Sequence, residues 1–157
     1  MWPTVAELKT AYILMHMRGT PATMQTLADY ESVSAEVLSD LAFKTSELRT
    51  LGVADVIIDP GFGFAKNIDQ NFSLLSDLKT FREINAPVLA GISRKTMIWK
   101  TLGSDPEHAA NGTTVLNTIA LLNGADILRV HDVAPAREAV TLVEALKRNS
   151  SSSTIRP

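Results

Sequence analysis

Cysteine is absent from the 157 residues, which excludes disulfides, thiolate metal sites and a cysteine nucleophile. An excess of one charge sign is lacking too: 15 Lys and Arg stand against 17 Asp and Glu, a formal net charge of −2. Nucleic-acid scaffolds and polybasic membrane binders need a strongly cationic surface, so neither partner is expected. No apolar run approaches the ~20 residues of a membrane helix. The opening residues Met1, Trp2, Pro3 and Thr4 hold no basic stretch leading into an apolar core, so no secretory leader is expected. What is present is a globular mixture, 45% hydrophobic and 20% charged, which excludes wholesale disorder. The expectation is a cytoplasmic protein of about one domain.

Apolar runs of strand length alternate with helical periodicity. The first run is Ala11 to Met15, and a polar segment with Gly19, Thr20 and Pro21 follows. Val33, Val37 and Leu41 recur at four-residue spacing, Leu48 and Leu51 continue the stripe, and Gly52 stops it as a left-handed cap. The second strand, Val56 to Ile58, runs into Asp59, and a helix is expected over 68–81 with Phe72, Leu75, Leu78 and Phe81 buried. Pro87 to Ile92 forms the third strand, followed by Ser93 and a short helix to Leu102. A helix over 107–123 closes at Gly124, the fourth strand spans 126–130, and the last helix runs over 135–147. Strands of continuous apolar residues, each followed by a helix, imply an α/β fold with a parallel sheet. Four such units make about half of a TIM (β/α)8 barrel, which typically needs ~250 residues, or else a small open sheet. One domain is expected over 1–148, with a flexible serine-rich tail over 149–157.

Active sites of such folds gather beyond the carboxyl ends of the strands. After the second strand stands Asp59, then Pro60, Gly61, Phe62, Gly63 and Phe64. That set is either a helix cap with a tight turn, or a carboxylate site with close backbone approach at the glycines and aromatic walls. After the third strand, Ser93 reads as an N-cap, and Arg94 and Lys95 place two cations against the positive end of the helix dipole. An anionic ligand would reverse that unfavourable sign. After the fourth strand, Arg129 and His131 share one face, as a phosphate clamp or as an ion pair with Asp132. His16, among Met15 and Met17, reads as packed core instead of ligand. The glycosylation pattern Asn111-Gly112-Thr113 is a coincidence without secretory features. Together the strand ends suit an anionic, partly aromatic substrate.

These segments, in this order, resemble the C-terminal half of the dihydropteroate synthase family. The likeness runs through Met15 to Pro21 with Met24 and Gln25, then Asp59 to Phe64 with Lys66, Asn71, Leu74 and Leu75. It continues through Gly91 to Lys95, Asn111 to Thr113, and Arg129 to Val133. The resemblance implies a barrel enzyme, a transferase of folate biosynthesis and sulfonamide target, which joins 6-hydroxymethyl-7,8-dihydropterin diphosphate to 4-aminobenzoate and releases pyrophosphate.

Residue by residue, it implies that Asp59 pairs with the pterin's amino and ring N–H edge, with Lys95, Met15 and Gly63 completing the pterin contacts. Phe64, Ser93 and Arg94 would hold the aminobenzoate. Arg129 and His131 would bind the diphosphate and, with Lys95, act in catalysis. Mg2+ is the implied cofactor, its ligand lying outside this chain, and a homodimer is the implied assembly. Asn67, where threonine is common in the family, is a mild departure. The resemblance also implies that the family's N-terminal half is missing, so the isolated chain is expected to be weakly active or inactive. The rival readings are a non-catalytic pterin-binding or self-associating half-barrel, and a methyltetrahydrofolate-type pterin-binding methyltransferase.

Overall fold

The computed structural model describes residues 1–20 and 22–150. Four parallel strands carry the architecture: β1 (Tyr12–Met15), β2 (Val56–Asp59), β3 (Leu89–Ala90) and β4 (Ile127–Leu128). Ladders join β1 to β2 and β3 to β4, and a single bridge from Ile58 to Val88 joins the two pairs. The strands therefore follow one another in chain order, without the reversal that marks a doubly wound sheet. Around them lie α1 (Trp2–Leu8), α2 (Val33–Thr50), α3 (Ile68–Ser76), α4 (Thr96–Trp99), α5 (Ala110–Leu122) and α6 (Val133–Ser150).

Register sorts the strand residues onto two faces. Leu14, Ile58, Val88, Ala90 and Ile92 are 0–4% exposed and meet α2 residues Val37, Leu41 and Leu48 in one core. Ile13, Ile57 and Ile127 fall on the other face, where Ile13 is 47% exposed. Continuing that second face toward the carboxyl ends places Met15 beside Asp59, then Gly91 and Arg129, then Ser93 and His131.

Several boundaries differ from expectation for identifiable reasons. α2 ends in a Schellman cap, Val53 N–H to Leu48 O and Gly52 N–H to Arg49 O, so Leu51 leaves the stripe and is 46% exposed. The single helix expected over 68–81 is two elements, α3 and a 3₁₀ segment from Leu78 to Ile84. Buried Leu78, Phe81 and Ile84 recur every three residues, the 3₁₀ period, and that spacing was the missed cue. α5 starts at Ala110, because Asp105 Oδ1 accepts from Glu107 and His108 N–H and holds 107–109 as a turn. α6 starts two residues before Pro135, since N–H groups of a first turn have no intrahelical partner and tolerate proline there. It runs through Asn149 and Ser150, against the expected tail from 149, while 151–157 lie outside the described residues. α1 precedes the first expected element and lays Trp2, Val5 and Ala6 on the core. Among the described residues no helix is long and apolar enough to cross a membrane.

Leu41 is wholly buried and Phe43, two residues on, is 63% exposed. Leu41→Ala is expected to lower the unfolding free energy by about 2–5 kcal/mol through the cavity it leaves, and Phe43→Ala by under about 0.5 kcal/mol. Urea titration followed by circular dichroism distinguishes them; equal effects would contradict this packing.

Candidate functional site

The loop after β2 is built around two backbone demands. Gly61 has φ +74°, and a Cβ there would stand 2.0 Å from His16 O, so no side chain fits without moving β1. Gly63 has φ +79°, and its missing Cβ leaves room for the Lys95 stem 3.2 Å away. The turn itself is tied by Phe64 N–H to Gly61 O at 3.1 Å, Gly61 N–H to Asp59 Oδ1 at 2.8 Å and Gly63 N–H to Asn71 Oδ1 at 2.7 Å.

Asp59 is 1% exposed. While Oδ1 is engaged by Gly61, Oδ2 is buried without a hydrogen bond, although Arg129 Nη2 stands 3.1 Å away. The ion pair gives charge compensation without hydrogen-bond alignment, which leaves a buried acceptor without a donor at the strand end. Arg129 lies on the bare backbone of Gly91, where a Cβ would meet its guanidinium at 2.7 Å. Its partner is therefore Asp59 and not Asp132.

Lys95 reaches back to donate to Phe62 O and holds its Nζ 4.7 Å from the Phe64 ring centroid, a cation–π contact. Burial pulls its ammonium down to about 8, opposed by the pull of Asp59 and helped by Arg129. Ser93 does not cap the following helix: α4 begins at Thr96 with Lys95 as its N-cap residue. The Ser93 hydroxyl instead contacts His131 Nδ1 at 2.8 Å and accepts from His131 N–H at 3.2 Å, which fixes that ring. Arg94 has φ +54°, its N–H satisfied by Thr113 Oγ1 at 3.0 Å, and its guanidinium forks onto Asp132 at 2.8 and 3.0 Å. The hydrogen bond from Arg94 holds the Asp132 carboxyl below the usual range. Met15 is partly buried at the end of β1, in register with Asp59.

The structure thus gathers Asp59, Gly63, Phe64, Lys95 and Arg129 at one end of the sheet, with Met15 and the Ser93–His131 pair beside them, and commits Arg94 to Asp132. A cavity of ≈ 240 Å³ opens alongside, lined by Gly63, Lys66, Asn71, Lys95, Thr96 and Lys100. His16 is 3% exposed in the core, as its neighbours suggested. The supporting roles of Lys66, Asn71 and Thr113 had no signal beyond their place in the resemblance, because each acts through contacts distant along the chain.

Unfolded lysines hold their proton to about pH 10.4, whereas Lys66 loses it near 7 and Lys95 near 8 in the folded chain. Between those values the unfolded state binds more protons, so unfolding free energy should climb from about pH 7 toward 10. Lys95→Met should flatten part of that climb. Urea titrations at several pH values test it, and stability falling across this window in the parent chain would contradict the burial of both ammonium groups.

Comparison with known proteins places this geometry. The family model described as pterin binding enzyme matches residues 1–131. The chain is 42% identical over 142 residues to the dihydropteroate synthase of Escherichia coli (strain K12), covering 89% of this chain and 50% of that protein. It is 40% identical over 144 residues to that of Haemophilus influenzae, covering 90% and 52%. Among solved structures, the Thermus thermophilus dihydropteroate synthase in complex with 4-aminobenzoate superposes with TM-score 0.89 at 38% identity, over 93% of this chain and 60% of that one. The Yersinia pestis enzyme in a sulfonamide drug complex gives 0.89 at 33%, over 94% and 54%. The chain spans about half the length of the curated relatives it matches first. A strand-end carboxylate beside a glycine-rich aromatic loop, on parallel β/α units that match this family across residues 1–131, makes the chain a member of the pterin binding enzyme family.

Proposed function

We propose that this chain supplies the ligand-gripping strand ends of a cytoplasmic dihydropteroate synthase, its four β/α units forming about half of a (β/α)8 barrel. The reaction joins 6-hydroxymethyl-7,8-dihydropterin diphosphate to 4-aminobenzoate and releases pyrophosphate. The observation that carries this reading is Asp59 Oδ2, a buried acceptor without a hydrogen bond beside a cation. A pterin's adjacent amino and ring N–H groups would supply the donors it lacks, and paired hydrogen bonds to a carboxylate give both affinity and register. The family's solved complexes with 4-aminobenzoate and with 6HMPPP support the same substrate pair.

Met15 flanks the pterin, and Lys95, charged at neutral pH below its value of about 8, borders it. Gly63 lets the ring approach the loop backbone, and Phe64 walls the aminobenzoate side. The aminobenzoate carboxylate falls to the helix start beside Ser93, with Arg94 anchored on Asp132 at its border. Breaking the methylene C–O bond leaves a delocalised pterin cation and pyrophosphate. Arg129 and the Ser93-oriented His131 draw off the departing charge, an electrostatic effect strengthened where water is excluded. The lone pair of the aminobenzoate nitrogen then attacks the methylene carbon, and that nitrogen sheds its proton to bulk water.

Mg2+ does not fit the residues present. The strand ends offer cations and two carboxylates, Asp59 engaged by Gly61 and Arg129 and Asp132 by Arg94, and among the described residues no three His, Cys, Asp or Glu cluster to hold a metal. Its oxygen ligands would come from the diphosphate and from outside these residues. Self-association is supported by exposed apolar residues on α5 and α6, where Val115 is 50%, Leu142 71% and Leu146 54% exposed. Sedimentation velocity should therefore show a dimer that Leu142→Asp weakens; a parent chain that stays monomeric at high concentration contradicts this.

Asp59→Asn, which replaces an acceptor by a donor toward the pterin edge, should weaken 6-hydroxymethylpterin binding by about 100-fold, the scale of losing charged hydrogen bonds of ~3 kcal/mol. Arg129→Ala should weaken the pterin diphosphate more than the pterin itself. Titration calorimetry reads both, and unchanged pterin affinity in a folded Asp59→Asn chain would overturn the assignment.

A further inference from the structure

Lys66 is 5% exposed, yet its partners are not carboxylates. Its Nζ stands 3.0 Å from His16 Nδ1, 3.1 Å from Gly61 O and 3.0 Å from Phe64 O. Three ammonium protons meet three acceptors, two of them carbonyls of the very loop that carries the ligand contacts. His16 can accept because its ring is neutral: burial, then the Lys66 charge, pulls it down to about 4. With Nδ1 accepting, the ring proton sits on Nε2. Lys95 donates to Phe62 O, the carbonyl between the two that Lys66 holds. The loop is thereby pinned at three carbonyls by two lysines, with Asp59 and Asn71 taking the Gly61 and Gly63 N–H groups.

We propose that Lys66, paired with His16, is a positioning residue: its ammonium grips the Gly61 and Phe64 carbonyls from the core side, so that the Asp59 carboxylate and the Phe62 carbonyl are presented to the ligand and to Lys95. Gly61 is compelled by the same packing, since a Cβ there would stand 2.0 Å from His16 O and 3.5 Å from Lys66 Nζ. His16 sits where β1 ends, and its N–H continues the ladder to Asp59 O at 2.9 Å. The grip therefore joins the ends of β1 and β2 and sets the height of the loop above the strand carrying Asp59. The ligand arm of this proposal rests on the pterin-binding reading above; the loop arm does not.

Lys66→Met keeps the stem and removes the donors. At pH 6, where Lys66 keeps its proton and the His16 ring is neutral, amide hydrogen exchange by NMR and calorimetric titration with 6-hydroxymethylpterin are compared in the parent chain and this variant. The Gly61 and Gly63 amides should exchange about tenfold faster in the variant, the scale of one lost charge-assisted hydrogen bond, while amides of α2 keep their rates. Pterin affinity should fall by about tenfold or more, and millimolar propylammonium should restore part of it in Lys66→Ala by refilling the vacated site. Loop amides that exchange at the parent rate, or α2 amides that speed up by the same factor, overturn the proposal in favour of no role or a merely structural one. A parent chain that binds no pterin refutes the functional reading, and the exchange arm still decides this one. A variant that fails to fold is covered by ring ¹⁵N shifts of the parent: a bare His16 Nδ1 with the proton on Nε2 is expected, and a protonated Nδ1 overturns the grip.

Discussion

A carboxylate at the end of a buried strand, with one oxygen capped by its own turn and the other left without a hydrogen bond, is the constraint around which this chain is arranged. Leaving a charged acceptor buried and unaligned is unfavourable by several kcal/mol unless charge or ligand compensates. Arg129 compensates charge from just beyond β4, far along the chain, and needs the bare Gly91 backbone to lie down on. Gly61 compensates the other oxygen and can do so only because it lacks a Cβ against His16 O. The order of the strands follows from the same requirement, since β2 and β4 must flank β3 for the two charges to meet across Gly91.

The alternation of apolar runs and helical stripes was legible because it follows from burial on one sheet face. Val33, Val37, Leu41 and Leu48 form the stripe on α2 that their spacing foretold, and all four strands fall where continuous apolar residues stand. Boundaries were less legible where local contacts override periodicity, as at the Asp105 turn before α5 and the 3₁₀ tightening after Asp77. Of the candidate site, the residue types at strand ends pointed to one end of the sheet, where the structure gathers them, but not to their partners. Ser93 looks like a helix cap in sequence and serves His131 in space; Asp132 looks like a partner for Arg129 and serves Arg94. Pairings of this kind depend on register between strands that a single chain does not announce.

The comparisons and the geometry bear on different questions. Similarity across residues 1–131 establishes the family, and the chain spans about half the length of the relatives it first matches. The geometry explains why this stretch concentrates chemistry: the ends of β2, β3 and β4 bring one buried carboxylate, a lysine with its proton held loosely by burial, and an Arg–His pair to one end of the sheet. A flat ring with adjacent N–H donors and an anionic tail, as proposed above, would answer each of these groups at once.

The most direct measurement is the ¹³C carboxyl spectrum of the aspartate-labelled chain, recorded before and after addition of 6-hydroxymethylpterin with pyrophosphate. The account predicts that the Asp59 resonance moves on binding as Oδ2 gains its donors, while Asp126 and Asp77, away from the hollow, stay in place. Saturable pterin binding that leaves the Asp59 resonance unmoved would contradict it.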